Sequence, residues 1–304
     1  MTKEKPLQLG VITIQNVPWN ELVRRWRFID NTDFDSLWIA DHFTHWKEKE
    51  MTFFECWTTL CGMACETSRI RIGTAVTNML WRHPAWLAKQ ALTVDHMSNG
   101  RLDLGLGAGG SANLEHSMTG LKKGTPREKV ERFKEYIEIV DQLLRNPITT
   151  YHGKYYNLEE AIVLPNSIQK PRPPIYVGAK GHKMLKITAK YANAWNTLES
   201  IDSLEESIER IVGRNSLLDK YCEEISRDPK TLRRTLGIYE SEAMHNIGRM
   251  KIYENLEILV DAIERFYEIG ISEIFFPYPF KEEEIPNFEY FAEEMLPELK
   301  KRYS

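Results

Sequence analysis

The 304-residue sequence contains no apolar run near the roughly 18 residues needed to cross a bilayer. Its opening, MTKEKPLQLG, lacks the apolar stretch and small-residue cleavage site of a secretory leader, so a cytoplasmic protein without membrane attachment is expected. Basic residues are not in excess. Forty Lys and Arg stand against forty-four Asp and Glu, a formal charge of −4, and no basic stripe marks a nucleic-acid-binding surface. The four cysteines, Cys56, Cys61, Cys65 and Cys222, form no CxxC knuckle and have no histidines at ligand spacing. They read as free thiols packing as small apolar side chains.

Two further absences narrow the fold and the chemistry. The segment Ile14 to Pro18, where the first strand ends, holds no glycine, whereas a dinucleotide-binding open sheet carries GxGxxG there. A metal-dependent barrel hydrolase using Asp41, His42, His45 and His83 would want an HxH in strand one and an acid closing strand eight; neither occurs. No metal is therefore expected.

What is present is a regular alternation. Alternating or continuous apolar runs at 7–14, 36–40, 70–77, 102–107, 175–177, 194–197, 236–241 and 273–276 read as eight strands. Helical patterns separate them, including one opened by Pro84 and another by Pro126, where a missing N–H does no harm. Asn20 is placed to cap the first helix, and Ser203 with Glu206 forms a capping-box pattern. Residues 151–174 break the rhythm with a turn at His152-Gly153 and four prolines, and read as an excursion between helix four and strand five. The count predicts a (β/α)8 TIM barrel, one α/β domain over residues 1–304.

Ligand loops of such a barrel lie at the carboxyl ends of its strands. Asp41 and His42 end strand two, an acid beside a proton-transfer group, so Asp41 is expected to fix the tautomer of His42. The run Gly105-Leu106-Gly107-Ala108-Gly109-Gly110 ends strand four, where glycines would let a flat or anionic ligand approach the backbone. Gly178-Ala179-Lys180-Gly181 precedes a helix, an arrangement suited to a phosphate.

Together, Ala40-Asp41-His42-Phe43, Ile72–Asn78, Arg82–Arg101, Leu104–Gly109 and Val163–Gly181 resemble the luciferase-like monooxygenase superfamily, most closely its branch using the deazaflavin coenzyme F420. The resemblance implies the ring lying across the barrel mouth and a cis peptide at Ala75–Val76 supporting it. It places Thr77 and Asn78 beside the ring, and Ala108, Gly109 and Asn113 around the polyol and pyrimidine. It puts the phosphate against Gly178, Ala179, Lys180 and Gly181, with Thr197 nearby. His42 and Trp46 match a histidine and tryptophan near the hydride-carrying carbon, and His45, Trp46, Met79 and Trp81 are expected to wall the substrate.

Members that oxidise sugar phosphates have a glutamate where this chain has Gly110, and a lysine where it runs Leu198-Glu199-Ser200. The implied activity is thus hydride transfer between F420 and a small organic substrate, with glucose 6-phosphate disfavoured. An FMN-dependent monooxygenase and an inactive cofactor-binding protein are the alternatives. A homodimer is expected from the family.

Overall fold

The computed structural model describes residues 5–46, 48–110, 113–241, 243 and 248–303; the side chain of Asn113 lies outside that description. Parallel strands β1 (Gln8–Ile12), β2 (Ser36–Ile39), β3 (Arg71–Thr74), β4 (Thr77–Asn78), β5 (Leu102–Gly107), β8 (Ile175–Gly178), β9 (Ala194–Ser200), β10 (Arg233–Tyr239) and β11 (Glu273–Pro277) form one sheet. β3 and β4 are two halves of one stave, so the barrel has eight. It closes where β3 pairs with β5 through Ile72–Leu102 and Gly73–Asp103. Helices α1 (Trp19–Asp30), α2 (Cys56–Glu66), α3 (Pro84–Met97), α5 (Pro126–Arg145), α6 (His182–Tyr191), α7 (Leu204–Glu223) and one at Leu256–Glu268 surround it. The expected excursion contains an antiparallel hairpin, β6 (Thr149–His152) and β7 (Asn157–Ala161).

Three local expectations change. β9 runs to Ser200, three residues beyond its expected end, because it pairs with β10 from Ala194–Arg233 to Ser200–Tyr239. Ser203 makes no capping bond; a 3-10 turn at Ile201–Ser203 intervenes, and Ser200 accepts from the Asp202 amide instead. The complete capping box belongs to Thr125 and Glu128, ahead of α5. Asn20 lies inside α1, which follows Pro18 without a side-chain cap.

Trp38, Tyr176 and Phe275 fill the barrel, with ring centroids 5.1 Å apart for Trp38–Tyr176 and 5.4 Å for Trp38–Phe275. Gly73 exists for that packing: a Cβ there would lie 2.5 Å from the Trp38 ring. Beneath the rings, at the amino-terminal end, Glu273 accepts from the Tyr176 hydroxyl at 3.0 Å and the Ser36 hydroxyl at 3.3 Å. Arg233 lies 3.8 Å from the same carboxylate, and Arg71 clamps Asp103 with two bonds of 2.8 and 2.5 Å. These side chains plug the barrel interior at that end. No helix among the described residues is long and apolar enough to cross a membrane.

Candidate active site

Strand three supplies the floor of the mouth. The Ala75–Val76 peptide is cis, and the chain there bulges before pairing resumes at Thr77–Leu106. Val76 is ringed by glycines. A Cβ at Gly107 would lie 2.5 Å from Val76 Cγ2, one at Gly178 3.3 Å from it, and one at Gly105 only 1.7 Å from the Thr74 carbonyl. Gly105 and Gly107 therefore make room for the bulge, where the sequence suggested bare backbone offered to a ligand. Gly109 answers a local need as well: its φ is +86°, and a Cβ would crowd Asn78 Oδ1 at 2.8 Å and Leu80 Cδ1 at 2.9 Å. Gly110 faces open space.

Asp41 and His42 part company. Asp41 is buried and accepts Arg82 on both oxygens, at 2.5 and 3.0 Å, and the Asn78 amide at 2.8 Å. It anchors β4 and does not touch the histidine, because consecutive side chains of an extended segment point to opposite sides. His42 Nδ1 meets Glu115 Oε1 at 3.1 Å, and the same oxygen accepts the Phe43 amide at 2.7 Å. Burial pushes the Glu115 carboxyl up, but the His42 ring and the Phe43 and Thr44 amides outweigh it, holding the group below its ordinary value. Glu115 is thus a carboxylate at neutral pH and accepts only, so the neutral imidazole carries its proton on Nδ1 and offers Nε2 as an acceptor.

Glu115 sits on α4 (Asn113–Thr119), a helix the sequence reading passed over. No local pattern marks it, since its partner is 73 residues away. Phe53 was also missed. It joins an aromatic wall with His42, His45 and Trp46: His45 stacks on Trp46 at 4.2 Å, and His42 lies 5.7 Å from Trp46 and 6.4 Å from Phe53. Burial lowers the His45 pKa, and its Nδ1 accepts the Glu48 amide, so it stands in the wall as a neutral ring. Met79 is fully buried in the main core, which removes it from the wall. Trp81 is half-buried and packs on His116 at 5.8 Å.

The expected cofactor residues divide. Thr77 is buried, with its hydroxyl engaged by the Thr74 hydroxyl at 2.8 Å. Asn78 Oδ1 takes the Leu80 amide, which leaves Nδ2 for a ligand. Ala108 packs partly against the core. Asn113 opens α4, and its side chain is outside the described residues. Ala179 has no amide to give, because its N–H bonds Asn196 and its carbonyl accepts Trp195 Nε1. Gly181 opens α6 without a side-chain cap and with open space around it, so the first amides of that helix fit an anion. Thr197 is buried, its hydroxyl 3.3 Å from both Glu199 and Arg214. Lys180 turns to Glu199 at 3.8 Å. Among the described residues no group of three or more His, Cys, Asp or Glu could hold a metal.

The sequence profile of the family described as luciferase-like monooxygenase matches residues 6–237. This chain belongs to that family. An F420-dependent glucose-6-phosphate dehydrogenase of Microbacterium testaceum (strain StLB037) is 24% identical over 94% of this chain and 95% of its own length. A 5,10-methylenetetrahydromethanopterin reductase of Archaeoglobus fulgidus is 30% identical over 60% of this chain and 51% of its own, so that match spans about half the relative. Among solved structures, a coenzyme F420-dependent tetrahydromethanopterin reductase from Methanopyrus kandleri superposes with a TM-score of 0.76 at 19% identity, covering 97% of this chain and 99% of that one. That likeness shows the barrel fold.

Proposed function

We propose that this chain is a coenzyme F420-dependent oxidoreductase that transfers a hydride between the deazaflavin and a small, unphosphorylated organic substrate. The observation that carries the reading is the His42–Glu115 pair at the mouth, beside a bulge that three glycines accommodate. The relatives named above support the cofactor assignment.

The residues present fit such a group. Val76 offers a raised apolar floor for a planar ring, and the uncapped amides opening α6 suit its phosphate. When bound, the deazaflavin supplies the two-electron hydride exchange.

His42 handles the accompanying proton. In the oxidising direction Nε2 accepts the proton of a substrate hydroxyl; in the reducing direction the imidazolium returns it. Glu115 fixes the ring through Nδ1 and stabilises the charged form, the role expected of Asp41. Asp41 works at one remove, by holding Arg82 and the β4 backbone in place. His45, Trp46 and Phe53 form an apolar, flat-sided wall that excludes water. Opposite the strand-nine acid, Leu198 points into the barrel, its Cδ2 2.3 Å from where a Gly237 Cβ would sit. An apolar group there gives a substrate phosphate no anchor.

Parallel titrations with F420 and FMN, followed by fluorescence quenching, and turnover with a panel of alcohols, ketones and enones test the reading. Tight binding of F420 with turnover of at least one substrate is expected. Binding of FMN alone would replace it with the monooxygenase alternative, and F420 binding without any turnover would leave a cofactor-binding protein.

A further inference from the structure

The helix that carries Glu115 is fastened to the barrel by a charge and not by an apolar face. α4 follows the end of β5 and reaches back across the β3–β4 stave to the loop after β2, where Glu115 meets His42 and Phe43. It therefore spans the side of the mouth that the Ala75–Val76 bulge floors. Glu115 is the one buried residue of Leu114–Thr119, and Met118 is 44% exposed, whereas a packed helix ordinarily buries an apolar stripe. The other side-chain hydrogen bonds of residues 114–121 stay within the segment: Ser117 to the Leu114 carbonyl, Thr119 to that of Glu115, and His116 with that of Leu121. The His116 ring rests on Trp81 at 5.8 Å. Gly120 and Gly124 follow with φ of +68° and +70°, and nothing lies within 4 Å of where a Gly120 Cβ would sit.

The anchor of α4 is thus also the partner of the proton-transferring ring. With His42 neutral, Nδ1–H donates to a carboxylate; once Nε2 takes up a proton, the same contact is an ion pair and Coulombic attraction strengthens it. Among the described residues Glu115 pairs with no Lys or Arg, so no other cation blunts that change. The groups facing the pair are the Phe43 and Thr44 amides on the Glu115 side, and neutral His45, Trp46 and Phe53 on the His42 side. Coupling is reciprocal. If docking of α4 stabilises the imidazolium, formation of the imidazolium holds α4 down by the same free energy.

We propose that α4 is a proton-operated flap over the mouth, latched by the His42–Glu115 pair, firm while His42 carries a proton and loosened when His42 gives it up. The inference rests on the reading above in taking His42 as the group that exchanges a proton with substrate. In the oxidising direction the hydroxyl proton passes to Nε2 as the hydride leaves the substrate carbon for the deazaflavin. The flap therefore tightens during the chemical step and excludes water there. Passage of that proton on to solvent relaxes the latch and frees the product. In the reducing direction the flap is firm beforehand and loosens once the proton has gone to the product.

Hydrogen exchange of the α4 amides in the cofactor-free protein tests the latch, measured at about pH 5 and pH 8 and corrected for intrinsic rates; the interval brackets the titration of an ordinary imidazole. Glu115, held below its ordinary value, stays a carboxylate through it. Residues 114–119 are expected to be about five- to tenfold better protected at the lower pH, with α5 unchanged. The difference should fall to about twofold or less in Glu115→Gln and in His42→Ala, and persist in Ser117→Ala on the same helix. A merely structural contact would instead raise exchange equally at both pH values. Stopped-flow association of F420 tests the gate: Glu115→Gln is expected to bind about fivefold faster than the wild type at pH 5 and at nearly the same rate at pH 8. Equal protection at the two pH values in the wild type, or a difference that survives in either latch variant, would overturn the latch. A variant-to-wild-type rate ratio independent of pH would overturn the gate. Failure of F420 to bind at all would overturn the deazaflavin reading, with the exchange result still deciding the latch.

Discussion

At the amino-terminal end of the barrel Arg71 clamps Asp103, and Glu273 is covered by Tyr176, Ser36 and Arg233; at the carboxyl-terminal end His42 has one nitrogen held and the other on offer. Both ends use buried carboxylates, yet one set is closed on itself and the other is held ready. Polar groups satisfied within the fold contribute to shape and stability. Groups held rigidly with an unused valence are what a ligand meets. The division matches the general rule that barrels place chemistry at the carboxyl ends of their strands.

Substitutions at the two ends should therefore fail differently. The largest expected effect is at the mouth: His42→Ala should lower kcat by about 10²- to 10⁴-fold, the usual weight of a general acid–base group, with F420 affinity and melting temperature nearly unchanged. Steady-state kinetics beside a binding titration would show it. Arg82→Met, at the same end but in a pair closed on itself, should instead damage the fold by about 3–5 kcal/mol in urea unfolding, because it leaves Asp41 buried without its cation. Adding Asp41→Asn to that variant should recover part of the loss.

Glu273 gives the comparison a pH axis. Burial raises its carboxyl to about 7, against the pull of Arg233. A carboxyl raised in the folded state favours the protonated form, so its stabilising contribution is complete below the unfolded value near 4.5 and is lost as pH rises through about 7. Glu273→Gln should match the wild type in acid and exceed it by roughly 3 kcal/mol at pH 8, a difference read from unfolding curves across that range. Equal stability of the two proteins at pH 8 would contradict the buried-acid account. The smallest expected effect returns to the mouth. Glu115→Gln, which keeps an acceptor for His42 but removes the charge, should lower kcat about tenfold and leave KM nearly constant.

The barrel was legible because its strands carry short apolar runs at regular spacing and its helices carry 3.6-residue patterns, signals that burial on two concentric layers imposes. The site was legible only where it is local. His42 and the Gly178–Gly181 loop lie at strand ends that periodicity locates. Glu115 was hidden because nothing within α4 reports a partner on the β2 loop. Asp41 misled because adjacency in the chain is not adjacency in space. The glycines at 105 and 107 misled for another reason: a missing Cβ says that something comes close, not whether it is a ligand or a neighbouring Val76.

The most direct measurement is a crystal structure of the protein with F420. The account requires the ring against Val76 with His42 Nε2 toward its substrate-facing side and the tail leaving over Gly181. A ring held elsewhere, for instance in the cavity of about 700 Å³ at the amino-terminal end lined by Lys5, Asp219 and Arg234, would contradict it.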